Sequence, residues 1–288
     1  MRTHEELKQL LIRIKDNGYK VPDGTDVDGL VADMLKFIGH TDAELRDDLI
    51  YTTFCELAEN GTLSAAQLKH CLATCLSDTH LFYGIGESST DSVFTRAFSS
   101  LFIALALAIH DENPFLTSAE IQNLKNVVLR YAAQEKDYRG YVSGKGWAHA
   151  TAHVADALTN IAGCDKAVDV EGDYSIGREG MHEVLQAVKT LVCVKDNVYT
   201  TEEDERLTQA VQMVIWCEIL TTQELTTWID SFDPAAKMDW SGPVPDNYYL
   251  HVNRKNFMRS LYFTLLADKD YEEICKHMVG FLAKPEEE

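Results

Sequence analysis

The sequence predicts an all-α protein, and three observations predict it. Helix-capping boxes recur along the chain, apolar residues between them repeat at the helical period, and alternating strand patterns bounded by hairpin turns are absent. In a capping box a Ser or Thr side chain caps a free N–H while an acid or amide three residues on reaches back. The pairs are Thr41 with Glu44, Ser64 with Gln67, Thr117 with Glu120, Thr200 with Glu203 and Thr221 with Glu224; Ser88 with Asp91 is a weaker variant.

The elements follow in order. "LKQLLIRI" predicts a first helix over 3–18, and "LVADMLKFI" a second over 26–38. The Thr41 box opens a third, over 42–59, carried by "LIYTTFCEL", and the Ser64 box a fourth, over 64–76. Cys71 and Cys75 lie one turn apart in that fourth helix, beside His70. No second Cys/His pair with zinc-site spacing accompanies them, so they are expected to be small buried hydrophobes. The fifth helix, 90–110, contains the longest apolar run, "LFIALALAI", which is short of the roughly 20 residues a membrane span needs. "IQNLKNVVLRY" gives a sixth over 118–135, and a seventh is expected over 145–162. "VLQAVKTLVCV" marks 178–194, "LTQAVQMVIWCEIL" marks 202–218, and the Thr221 box opens 222–231. The Pro- and aromatic-rich "DPAAKMDWSGPVPDNYY" is irregular and is expected to fold over one end, before final helices over 250–267 and 270–283.

No Gly/Ser- or Pro-rich linker divides residues 1–288, so one helical domain is expected. The early starts at 41, 64, 88 and 117 approach, in pairs, the roughly 40–47-residue unit of HEAT and armadillo repeats. Stacked antiparallel helix pairs in such an α-α superhelix leave a concave face for binding. An α/α toroid is the alternative, bringing the last helices beside the first.

Forty-six acidic residues against 26 basic ones give a formal net charge of −20, which argues against nucleic acid and anionic membrane surfaces as partners. The amphipathic N-terminus is unlike a secretion signal, and seven cysteines without framework spacing suit a reducing compartment. A cytoplasmic location is expected, with the acidic "KPEEE" tail solvated.

The chemistry concentrates in "RGYVSGKGWAHATAHVADAL", residues 139–158. At 100° per residue, His149, His153, Asp156 and Asn160 fall within about 60° of one another, opposite Trp147, Thr151, Val154, Leu158 and Ile161. Alanines flank this ridge where an ordinary solvated face carries Lys, Glu and Gln, so it is expected to face a crevice. Gly140, Gly144 and Gly146 around Lys145 precede the helix, where free N–H groups, Lys145 and Arg139 favour an anion; the spacing is not that of a phosphate-binding loop.

Three readings of the ridge stay open. It is a structural polar network; or a ligand pocket using Arg96, Arg139, Lys145, Trp147, His149, His153, Asp156, Asn160 and Arg259; or a metal site on His149, His153 and Asp156. "VFTRAFSSLF" and "NFMRSLYFTL" each place an Arg, Arg96 and Arg259, two residues after a Phe in an apolar helix. Such an Arg needs partners, and at least one of the two is expected to reach the ridge, with Asp156 as its carboxylate. His182-Glu183 has Gln186 where a metalloprotease helix has its second His, "EEDERL" reads as a helix cap, and no Ser or Cys nucleophile has an identifiable base.

The 139–158 stretch, with "VFTRAFSSLF", "EEDERL" and "NFMRSLYF", resembles a bacterial family catalogued as domain of unknown function 2785. The resemblance spans most of the chain. Its pattern covers Arg96, Arg139, Gly140, Tyr141, Lys145, Gly146, Trp147, His149, His153, Asp156, Asp204, Glu205, Arg206 and Arg259, and it implies no activity. The leading expectation is a non-catalytic helical module that binds a small polar ligand or protein segment in a concave crevice. No cofactor is expected. The alternative is a metal-dependent, hydrolase-like enzyme using His149, His153 and Asp156.

Overall fold

A computed structural model describes residues 1–165, 175–232 and 247–283. Most of the Pro-rich segment after Asp233 and the terminal "KPEEE" lie outside the described residues. The protein is all-α. Twelve α-helices stand among the described residues: α1 His4–Asp16, α2 Val27–Lys36, α3 Thr52–Glu59, α4 Ala65–Cys75, α5 Ser92–Glu112, α6 Ser118–Gln134, α7 Ala150–Gly163, α8 Gly177–Val192, α9 Glu203–Trp216, α10 Thr222–Asp230, α11 Tyr248–Leu266 and α12 Glu272–Leu282. A π-helical segment, Glu44–Tyr51, runs directly into α3.

The caps explain the boundaries. Ser64 with Gln67 and Thr221 with Glu224 form the expected reciprocal boxes, and Thr3 with Glu6 forms a third that sequence reading passed over. At the π segment Asp42 takes the cap, accepting from Leu45 N at 3.3 Å. Before α9, Glu203 accepts from the backbone and hydroxyl of Thr201.

Packing groups the chain into two compact units, the first comprising residues 1–117 and 134–157, the second 118–133 and 158–288. In the first unit α5 packs against α3 and α4 and is buried on nearly every side. Phe54 meets Phe102 edge-on at 4.9 Å, and Tyr51 meets Phe98 at 6.4 Å. By length and composition α5 is long and apolar enough to cross a membrane, but most of its surface is buried within the protein. Cys71 and Cys75 face this core with no exposure, and burial pushes the Cys71 thiol up to about 12. They are packing residues. In the second unit α9 packs against α8 and α11, and α12 against α10 and α11. Its core stacks Phe232 on Phe257 at 5.7 Å with Trp228 edge-on, whose indole N–H donates to Leu185 O at 3.0 Å.

Candidate functional site

The 139–158 stretch departs from the sequence reading at its start. Residues 145–149 are not helical. Tyr141–Val142 (β1) pairs antiparallel with Gly146–Trp147 (β2), Tyr141 opposite Trp147. Gly144 and Gly146 take the positive φ values, 75° and 80°, that a turn this tight needs and that side chains disfavour. The ladder continues through Ala148 N to Gly140 O at 2.8 Å and His149 N to Arg139 O at 3.1 Å. Only then does α7 begin, its first turn closed by His153 N to His149 O at 2.9 Å. His149 holds φ of 48°, the left-handed region, which costs an L-residue about 1–2 kcal/mol.

Arg46, which sequence reading did not single out, fixes this hairpin. It has no solvent exposure and donates to Lys145 O at 2.8 Å, Trp147 O at 3.1 Å and His40 O at 2.7 Å, and to Asp47 at 3.0 Å. Its guanidinium lies over the rings of Phe94 (4.3 Å) and Phe98 (4.9 Å). Burial dominates both members of the Arg46–Asp47 pair, lowering the guanidinium and raising the carboxyl. Gly146 sits so close that a Cβ there would lie 2.7 Å from Ala43 Cβ and 3.0 Å from Arg46 Nη2. Only glycine allows that approach.

The expected cations are already engaged. Lys145 pairs with Asp91 at 2.6 and 2.8 Å, and Arg139 with Asp137 at 2.6 and 2.8 Å and with Thr90 O at 2.7 Å. Hydrogen bonding to Asp137 raises the Arg139 guanidinium further. The hairpin ladder uses the N–H groups of residues 145, 148 and 149, so the anion site expected before the helix is not formed by these groups.

Arg96 is fully buried, as its apolar surroundings require, but its carboxylate is Glu135 rather than the expected Asp156. Nε and Nη2 meet the two Glu135 oxygens at 2.6 and 2.8 Å, and the remaining N–H groups serve Tyr83 O, Gly84 O, Glu87 O and Ser92 Oγ. Glu135 in turn accepts from the backbones of Lys136 and Asp137. Arg259 corrects the other half of the expectation: it is exposed on α11, where Arg254 is the buried arginine.

The ridge also divides. His153 is buried, its Nδ1 donating to Ala97 O at 3.2 Å and its ring edge-on to Phe98 at 5.1 Å. His149 is half-buried and stacks on Trp147 at 4.3 Å, 24° from coplanar, while meeting His153 nearly perpendicular at 6.0 Å. Trp147 is not in the core stripe assigned to it; it is 40% exposed, and Tyr141, 60% exposed, abuts it edge-on at 5.0 Å. Asp156 is half-buried on the same stretch of α7, and Asn160, also half-buried, belongs to the second unit. Among the described residues no group of three or more His, Cys, Asp or Glu side chains is placed to hold a metal ion, so His149, His153 and Asp156 do not form the metal set considered above. His182 instead bonds Glu224 at 3.1 Å, and hydrogen bonds from Arg178 above all, then from Thr221, hold the Glu224 carboxyl well below its usual range.

Arg46, Glu135 and Asp137 were illegible because charge in the sequence suggests solvent. Arg46 stands before two aspartates, yet it lies among buried Leu45, Leu49 and Ile50. No curated protein and no solved structure matches the chain. The family model described as "Protein of unknown function (DUF2785)" matches residues 81–263, which take in α5, the hairpin and α7; the chain belongs to that family.

Proposed function

We propose that the chain is a non-catalytic, cytoplasmic binding module of helical-repeat type, and that its ligand face is the aromatic platform of Tyr141, Trp147 and His149. The observation that carries this is an exposed indole stacked on a half-buried imidazole and met edge-on by an exposed phenol ring, on a hairpin whose backbone a buried arginine clamps. Large exposed aromatics held rigid lose little entropy on binding. Their π faces favour flat groups and cations, and the formal charge of −20 favours cations as well. The ligand is therefore a small polar molecule with a planar or cationic group. Left-handed His149 supports the reading, since backbone strain is retained where neighbours fix it for use. HEAT-like stacking of antiparallel helix pairs belongs to the same proposal, supported by the α8, α9, α11, α12 packing in the second unit.

A second reading holds for the rest of the motif. Arg96, Arg139, Lys145 and His153 are engaged by protein groups and act as a structural network that stiffens the platform.

The test is a panel of small cationic and planar polar metabolites, read by thermal shift and tryptophan fluorescence on wild type and Trp147→Ala. Saturable stabilisation without turnover, lost in the variant, is expected. A response that survives Trp147→Ala, or conversion of a panel member to product, overturns the reading.

A further inference from the structure

A separate groove in the first unit, of about 950 Å3, is lined by α1 from its start to Arg13 and by residues from Gly24 to Asp33. None of its lining comes from the 139–160 motif. We infer that this groove is a receptor for an arginine side chain carried on an extended peptide segment, with Asp33 as the carboxylate that takes the guanidinium and Arg2 as its resident occupant.

Asp33 is 1% exposed and lies on α2 among buried Leu30, Val31, Met34 and Leu35. A carboxylate in such surroundings persists only if its charge is met. Among the described residues it is met by Arg2 alone: Nη1 donates at 2.8 Å, and the Arg2 backbone N–H reaches the two oxygens at 3.2 and 3.3 Å. Arg2 stands outside α1, before the N-cap Thr3, and its side chain keeps 30% exposure. The carboxylate is thus built into the fold, while the cation that satisfies it sits on backbone that no helical ladder holds. Exchange of one guanidinium for another leaves the buried charge covered throughout. Simple departure of Arg2 leaves it bare.

The dimensions select a peptide. From Glu5 to Arg13 the α1 wall runs about 12 Å at about 1.5 Å per residue, the length of three or four extended residues at about 3.3–3.6 Å each. Exposed Glu5 and Asp26 line the same groove and favour a basic segment. Lysine is a poorer occupant, because its ammonium lacks the planar fork that matches a carboxylate. Arg2, tethered beside the site, competes at an effective concentration of order millimolar, so wild type is partly self-blocked.

The experiment titrates the full chain, by calorimetry, with the blocked peptide acetyl-Gly-Gly-Arg-Gly-Gly-amide, its lysine counterpart and arginine amide. Arg2→Ala is expected to bind the arginine peptide at least tenfold more tightly than wild type, and at least tenfold more tightly than it binds the other two ligands. Adding Asp33→Asn should abolish the binding. Should Arg2→Ala fail to fold alone, the peptide restoring its thermal transition is the same positive result, and Arg2→Lys, which keeps a cation, should show a smaller gain in affinity. Equal affinities for wild type and both Arg2 variants overturn the proposal, as does binding that survives Asp33→Asn. Arginine amide binding as tightly as the peptide overturns the peptide assignment.

Discussion

Helices α5 and α11 carry the same short pattern, an arginine two residues after a phenylalanine, and give it opposite fates. Phe94 and Phe257 are both fully buried, but Arg96 has no exposure and Arg259 lies in solvent. The arginine sits 200° around the helix from the phenylalanine, so its fate depends on whether the far side of the helix is covered. Helix α5 is enclosed, with Ser99, Ser100 and Ala104 buried alongside its phenylalanines; α11 buries one face and leaves Phe263 and Leu266 exposed. Local pattern places a residue on a helix. The depth at which the helix sits decides what that place means.

That contrast sets the largest expected effect. Arg96→Ala leaves Glu135 buried without its cation and should cost about 3–5 kcal/mol in urea unfolding, whereas Arg259→Ala should stay within about 0.5 kcal/mol. Similar losses at both positions would break the comparison. Next comes Arg46→Met, which keeps much of the packing on Phe94 and Phe98 but removes the donors to Lys145 O and Trp147 O. A loss of about 2–3 kcal/mol is expected, with a red-shifted Trp147 emission as the hairpin loosens. Unchanged emission would mean that the hairpin stands without its clamp. Trp147→Ala, by contrast, should cost less than about 1 kcal/mol because the ring is substantially exposed, and a large loss would mark it as a packing residue.

The smallest effect concerns pH. Burial holds both His40 and His80 below the usual imidazole value, with neighbouring His4 and Arg46 adding to the effect at His40, and Asp42 and Glu5 opposing it there. The unfolded chain then binds the proton more readily than the fold does. The stability held by these neutral rings is complete above about pH 6.5 and falls as pH drops from there towards the depressed folded values. His80→Gln should flatten that part of the urea midpoint profile between pH 7 and 5. An unchanged slope would assign the pH dependence elsewhere.

Helices were legible almost to their ends, because capping boxes and the 3.6-residue period act locally; Ser64 and Thr221 begin helices where their boxes say. The 139–158 motif was legible as the densest chemistry but not in its shape. Alanines and histidines at helical spacing extended the predicted helix back to residue 145, whereas two glycines at positive φ made residues 141–147 a hairpin and turned Trp147 outward. The partners of Arg96 and the whole role of Arg46 were hidden for a different reason. Glu135 is 39 positions from Arg96, and Lys145 is 99 from Arg46, and no one-dimensional period encodes such distances.

The π-helical segment Glu44–Tyr51 has a consequence for how this chain tolerates insertion and deletion. A π turn holds a residue more than an α turn of the same span, so it is a splice in which one residue is surplus to the winding. Remove a residue there and the helix can close into ordinary α form without a break, and because the surplus residue is the one lost, what lies upstream keeps roughly its phase relative to α3. An ordinary α turn has no such slack: the same deletion in α3 would turn everything before it by about 100°, and Arg46 would leave the aromatic faces and carbonyls it now serves, although no residue of the hairpin had been touched. Length in α3 therefore acts as spelling, while the π segment before it holds slack: the hairpin depends on the number of residues in a helix about ninety positions before it.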